Sequence, residues 1–165
     1  MPHPYDILDV PGRSGRLIFT PCPGLKDTSL DSALDTLQAA GAEALITLMP
    51  QEELNQNQIV DLPERCAHRN LEWFHLPVAD EQEPEAAFDA AWAAAWPRIH
   101  QLLDEGRSPA IHCKGGSGRT GLIAARILIT CGVPPAEAIA QVQALRPRSI
   151  QNSVHMAWIG QFDVK

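Results

Sequence analysis

Ala110-Ile111-His112-Cys113 is a short apolar run ending at a cysteine, and Lys114-Gly115-Gly116-Ser117-Gly118 follows with no spacer. Arg119 then opens a helical pattern that runs to Cys131 and stops at Gly132. A strand, a glycine-rich turn and a helix in direct succession leave few folds open. The strand must deliver its C-terminal end to the start of a helix packed on the same sheet. The rest of the chain repeats this alternation. Arg16–Phe19, Ala44–Met49 and Leu71–Leu76 read as further strands, the first two closed by proline-containing turns and the third stopping at Pro77. Ser29 can cap a helix with Leu30, Leu34 and Leu37 on one face, and Gly41 suits its end. The looser stretch 51–70 holds one or two short helices, with Pro63 in the first turn of the second. Phe88, Trp92, Trp96, Ile99 and Leu103 recur as the buried face of a helix that Pro97 is expected to kink or split. Two helices close the chain. One opens at Pro134-Pro135, and the other begins near Gln151 with Val154, Trp158 and Phe162 on one side. The expected fold is α/β: a single domain over residues 1–165, with a central, mainly parallel sheet of four or five strands flanked on both faces by five or six helices.

Charge and cysteine usage narrow the function classes. Thirteen Lys plus Arg against twenty Asp plus Glu give a formal charge of -7. That leaves no basic face to neutralise a nucleic-acid backbone or an anionic membrane, so neither partner is expected. The longest apolar stretch, Leu122 to Val133, is interrupted by Arg126 and is too short to span a bilayer. No apolar run of signal-peptide length follows the N-terminus. Cys22, Cys66, Cys113 and Cys131 form neither a disulfide framework nor a C-x-x-C pair. His3, His68, His75, His100 and His155 lack metal-ligand spacing. The reading is a reduced, cytoplasmic monomer with no metal and no cofactor. Cys66 reads as a small buried core residue, and His155, four residues after Gln151, as a position on the surface of its helix, with the same cleft as the alternative.

The turn after Cys113 is where chemistry concentrates. Its glycines let successive N–H groups face inward and form a nest for an anion, and the helix start adds partial positive charge there. Arg119 can give two parallel hydrogen bonds to phosphate-type oxygens. The same field favours the thiolate of Cys113, which would then sit beneath a tetrahedral oxyanion, placed for in-line attack on phosphorus. Neither the nucleotide P-loop order nor the dinucleotide G-x-G-x-x-G spacing is present. An acid is also needed, because expelling an unprotonated alkoxide or phenoxide is costly. Asp80, Glu81, Glu83 and Glu85 crowd one loop, and composition alone does not choose among them.

His112-Cys113-Lys114-Gly115-Gly116-Ser117-Gly118-Arg119-Thr120-Gly121 resembles the H-C-x5-R-[ST]-G signature loop of the cysteine-dependent protein tyrosine and dual-specificity phosphatases. The early PCPGLKD (from Pro21), the FHLPVAD stretch ending at Asp80 and the late SIQN (from Ser149) resemble one branch, the kinase-associated phosphatase (cyclin-dependent kinase inhibitor 3) family. The similarity extends from about Gly15 to Phe162. It implies Cys113 as nucleophile, forming a cysteinyl-phosphate, and Arg119 with the loop residues Lys114, Gly115, Gly116, Ser117 and Gly118 as the phosphoryl cradle. It also implies Thr120 as the hydroxyl that eases departure of the sulfur, His112 as the residue that orders the loop, Asp80 as general acid and Gln151 as the residue that positions the attacking water. Some relatives protect the nucleophile as a disulfide, which makes Cys66 a partner to test. The acid loop reads LPVAD, where the wider tyrosine phosphatase pattern has Trp-Pro-Asp.

The function this implies is metal-independent hydrolysis of phosphomonoesters on phosphoproteins, phosphotyrosine first and phosphoserine or phosphothreonine second. A phosphate-reading module without turnover would need the nucleophile, arginine or acid to be lost, and all three stand here. A rhodanese-like sulfurtransferase also uses a cysteine in an anion-cradling loop, but the Arg119-Thr120 pair points to phosphate.

Overall fold

The computed structural model describes residues 2–162. Its five strands form one sheet in the order β1-β2-β5-β3-β4. They are β1 (Asp6–Asp9), β2 (Arg16–Thr20), β3 (Ala42–Thr47), β4 (Glu72–His75) and β5 (Ser108–His112). β5 is the central strand, parallel to β2 on one side and to β3 on the other, and β4 continues the parallel arrangement beyond β3. Residues buried from both faces explain why these strands read as apolar runs rather than alternations. β1 is the addition: it pairs antiparallel with β2, Asp6 opposite Phe19 through Asp9 opposite Arg16. Its sequence, DILD, is charged at both ends and mostly exposed, so its edge position is set by backbone pairing with β2.

Seven helices are present among the described residues: α1 (Leu30–Ala39), α2 (Gln51–Gln56), α3 (Leu62–His68), α4 (Ala86–Asp104), α5 (Gly118–Thr130), α6 (Pro135–Leu145) and α7 (Ser153–Gly160). Ser29 caps α1 as read, its hydroxyl accepting from the Ser32 amide, and Gly41 takes φ +108° just beyond the end. Two expectations hold only in part. α4 passes through Pro97 as one 19-residue helix. The proline removes one backbone hydrogen bond, but the helix is held on both sides of it by buried Phe88, Trp92, Ile99 and Leu103, and Trp96 stacks on Trp92 and His100. On α7, Trp158 is buried and, just past its end, Phe162 packs against the core as expected, but Val154 is exposed, and His155 and Ile159 are buried instead.

The sheet separates two apolar clusters. One joins Phe19, Ile46 and Ile111 to α4, α5 and α7; the other joins Ile18, Leu45 and Ala110 to α1 and α3. Cys113 belongs to the first and Cys66 to the second. At the outer corner of the first, the Arg126 guanidinium of α5 lies 3.7 Å from the Phe162 ring centroid and 4.7 Å from that of Trp92, with Trp158 at 5.7 Å. These cation–π contacts bind α4, α5 and α7 into one block. No helix among the described residues is long and apolar enough to cross a membrane.

Candidate active site

β5 ends at His112, so Cys113 stands at the C-terminal edge of the central strand, where open α/β sheets place their ligand crevices. The turn that follows is braced from outside. Arg146 Nε donates to the Gly116 carbonyl at 3.1 Å, and the Ser149 hydroxyl donates to the Ser117 carbonyl at 2.6 Å. The Lys114 carbonyl accepts from the Cys22 amide at 3.0 Å. These contacts fix the shape of the turn from outside. Gly116 has φ +83°, and a Cβ there would stand 2.7 Å from the Pro21 nitrogen, so only glycine fits. Its amide points at the sulfur: Gly116 N–H donates to Cys113 Sγ at 3.3 Å. The Thr120 hydroxyl donates to the same sulfur at 3.2 Å. Ser117 makes no side-chain cap to α5, so the helix start keeps its amides open toward the cleft.

Arg119 is 2% exposed and its guanidinium is almost fully committed. Nη1 and Nη2 donate to the two carboxylate oxygens of Glu53 at 2.7 and 2.8 Å, and Nη1 also donates to the Val78 carbonyl at 2.9 Å. Nε has no hydrogen-bond partner. What remains is the Nε–H and one Nη2–H on a single edge, a fork that fits two oxygens of one phosphoryl group. Glu53 was not anticipated from the sequence: it sits on α2 as one polar residue in QEELNQ, and nothing in that pattern marks it as the partner of a residue 66 positions later. The free edge of Arg119 lies 3.5 Å from Asp80 Oδ1.

Asp80 is exposed, and it lines one cleft of about 440 Å³ together with Cys113, Lys114, Gly115, Ser117, Gly118 and Arg119. Leu25 and Lys26 complete the wall. Lys26 and Lys114 are two of only three lysines in the chain, the third being Lys165. An acidic protein therefore places most of its ammonium groups at this mouth. Gln151 is not among the lining residues; its side chain is exposed and its amide donates to the Pro147 carbonyl at 2.8 Å. His155, read from the sequence as a surface residue, is 3% exposed, and its Nε2 meets the Gln82 carbonyl at 2.9 Å. The reason is that α7 turns its 155–158–159 side, not its 154 side, onto the core. Cys66 is buried as read, but on the other side of the sheet from Cys113. Burial pushes the thiols of Cys66 and Cys22 up to about 12, the latter aided by nearby Cys113, so neither offers a thiolate near neutral pH.

His112 is fully buried and fixed at both nitrogens. Nδ1 donates to the Cys113 carbonyl at 3.0 Å, since a carbonyl can only accept. Nε2 then accepts from the Thr47 hydroxyl at 2.7 Å, and that hydroxyl accepts from Trp73 Nε1 at 2.8 Å. Burial pushes His112 down to about 4, so the neutral ring is retained at neutral pH. The stability consequence follows from the sign. The unfolded ring charges near 6.5, so between pH 6.5 and 4 the unfolded chain binds the proton and the folded one does not. Stability is full above pH 6.5 and falls as the pH drops toward 4, by about 3 kcal/mol from this residue. Urea midpoints at pH 7 and pH 4.5 should show the fall, and His112→Asn, with nothing to titrate, should show a shallower one.

The fold and this loop define a class. The chain belongs to the family of dual-specificity and tyrosine phosphatase domains: the family described as "PTP-SAK: Swiss Army Knife protein, DSP-PTPase phosphatase domain" matches residues 24–158. Among individual proteins, the chain is 26% identical over 125 residues to cyclin-dependent kinase inhibitor 3 of Homo sapiens. That match covers 73% of the chain and 58% of the relative, so the chain spans well under two thirds of its length. Among solved structures, kinase associated phosphatase with its catalytic-site cysteine changed to serine superimposes with a TM-score of 0.84 at 23% identity, covering 96% of this chain and 93% of that one. Tk-PTP in its active form gives 0.70 at 23% identity, with 94% of each chain covered. These structural likenesses establish the shared fold.

Proposed function

We propose that this protein is a metal-independent phosphatase that hydrolyses phosphomonoesters of phosphoproteins, phosphotyrosine together with phosphoserine and phosphothreonine, through a cysteinyl-phosphate. The observation that carries the reading is the convergence on one sulfur: Gly116 N–H and Thr120 O–H both donate to Cys113 Sγ, and the free edge of Arg119 opens beside it into the same cleft.

In the first step the Cys113 thiolate attacks phosphorus, forming the S–P bond as the O–P bond to the leaving group breaks. Three equatorial oxygens lie against the turn amides and the Nε/Nη2 edge of Arg119. Asp80 gives its proton to the leaving oxygen. In the second step Asp80 takes a proton from water as that water attacks phosphorus, and the sulfur leaves with the Thr120 hydroxyl donating to it. Phosphate is released and the thiolate is restored. His112 acts indirectly, by holding the Cys113 carbonyl and hence the strand end. For Gln151 to place the attacking water, its amide must leave the Pro147 carbonyl and turn into the cleft. Lys26 and Lys114 draw the phosphate dianion to a mouth that a chain of charge -7 would otherwise repel. The reading extends to a monomer in a reducing cytoplasm, where the thiol of Cys113 remains free.

The test is release of phosphate from a panel of phosphotyrosine, phosphoserine and phosphothreonine peptides, with and without excess EDTA. Turnover is expected to persist under chelation, because amides and a guanidinium supply the positive charge that a metal supplies elsewhere. Loss on chelation with recovery on adding a divalent ion overturns the reading.

A further inference from the structure

The acid-bearing loop is held to the body of the protein at few points. Upstream, Leu76 N–H donates to the Thr47 carbonyl and Val78 N–H to the Leu48 carbonyl, so the chain is tied as far as Val78. Downstream, α4 begins at Ala86, and Phe88 packs edge-on against Trp158 of α7. Between them, Ala79-Asp80-Glu81-Gln82 is a tight turn closed by Gln82 N–H to the Ala79 carbonyl at 3.1 Å, with Glu81 at φ +62°. Among the described residues the turn has two polar ties beyond itself. One is Asp80 to Arg119, at 3.5 Å. The other is the Gln82 carbonyl to His155 Nε2, at 2.9 Å. The first must give way when a phosphoryl group occupies the free edge of Arg119, since two anions cannot share it. The second need not.

We infer that His155 is a positioning residue for the general acid: by donating Nε2–H to the Gln82 carbonyl, it keeps the Asp80 turn over the cleft after substrate has displaced Asp80 from Arg119. This rests on the assignment of Asp80 as the acid. The arm that presents His155 is rigid. Its amide is capped by the Asn152 side chain at 2.7 Å, and three residues on, Trp158 packs against Phe88 and faces the Arg126 guanidinium that binds α7 to α5 and α4. The charged groups facing the ring are Asp80 and Glu81 from the turn and Arg119 from the start of α5; α7 itself contributes none. Burial pushes His155 below its ordinary value, while the Gln82 carbonyl and Asp80 pull the other way. The ring is therefore a neutral Nε2–H donor at neutral pH, and it adds no competing cation beside Asp80.

The experiment compares kcat/KM, which reports the steps up to cysteine phosphorylation, on phenyl phosphate and on para-nitrophenyl phosphate. Only the first substrate depends strongly on protonation of its leaving oxygen. His155→Met, similar in bulk but unable to donate, is expected to lose about 10–100-fold on phenyl phosphate, the cost of an acid misplaced by an ångström or less, and little on the nitrophenyl ester. His155→Gln, whose amide reaches to a comparable position, is expected to recover most of that loss. In an Asp80→Asn background, His155→Met should add nothing, because the group it positions is gone. Nitrogen-15 shifts of the unmodified protein at pH 7 should report the Nε2–H tautomer. Equal losses on both substrates, additivity with Asp80→Asn, or no effect of His155→Met overturns the inference. So does an Nδ1–H tautomer, a result that depends on no variant folding. If Asp80→Asn alone shows no leaving-group-dependent loss, the acid assignment falls and takes this inference with it. If Asp80→Asn does and His155→Met does not, only the role of His155 fails.

Discussion

Cys113→Ser is expected to abolish turnover while leaving oxyanion binding largely intact, and Arg119→Ala to lose both. Removing an obligatory nucleophile costs on the order of 10⁶-fold in rate. The amide nest survives, because it is built from backbone that Arg146, Ser149 and the Cys22 amide hold in place from outside. Vanadate or inorganic phosphate titrated into the serine variant should therefore still bind. Arg119→Ala removes two charge-assisted hydrogen bonds, each worth about 1.5–3 kcal/mol, so oxyanion affinity should fall by at least about 10²-fold. It also leaves the Glu53 carboxylate beside the cleft without its cation, a repulsion added to the lost attraction. The double variant Arg119→Ala, Glu53→Gln separates the two: any affinity it regains over Arg119→Ala measures the repulsion. Calorimetric titration of each variant gives the affinities directly. Turnover by purified Cys113→Ser, free of contaminating phosphatase, would sink the assignment of the nucleophile.

The parts of this site that were legible in the sequence are those built from consecutive residues. A strand end, a turn and a helix start occupy neighbouring positions from Ala110 to Gly121, so their chemistry and geometry are read together, and the structure places Gly116, Thr120 and Arg119 around Cys113 in that way. The same holds for α1, where the Ser29 cap and leucine spacing are local facts. Illegible were the pairings across distance. Glu53 reaches Arg119 only because β3 lies next to β5, which brings α2, just after β3, to the same sheet edge. β1 forms because β2 offers it an open edge, not because DILD favours a strand. On α7 and just past it, Trp158 and Phe162 pack inward as their spacing predicts, but Val154 does not, and a buried histidine does not register as apolar. Its burial depends on an acceptor, the Gln82 carbonyl, that lies in another element altogether. Pro97 shows the reverse case, a local signal for a break that is overruled when packing on both sides of it holds the helix in one piece.

The acid loop runs from Asp80 to Glu85 and leads into α4. Four carboxylates lie within six residues, yet the cleft lining takes up Asp80 and not Glu81, Glu83 or Glu85. The left-handed Glu81 explains the selection: at φ +62° it turns the chain so that Asp80 faces Arg119 while the residues after it lead away toward α4. Asp80→Asn should therefore slow kcat/KM on phenyl phosphate or a phosphopeptide by about 10²–10⁴-fold, the worth of a positioned proton donor. An aryl phosphate with a low-pKa leaving group needs little protonation, so its loss in the cysteine-phosphorylation step should be much smaller. Glu81→Gln, Glu83→Gln and Glu85→Gln should keep most of the activity on both substrates and serve as controls for the charge of the loop. The asparagine also removes the ion pair to Arg119, freeing that edge, so phosphate should bind the variant at least as tightly as it binds the unmodified protein. Weaker phosphate binding would instead mean that Asp80 shapes the cradle. A leaving-group-dependent loss in Glu81→Gln but not in Asp80→Asn would move the acid one residue along the turn, to a side chain that this backbone turns away from the sulfur.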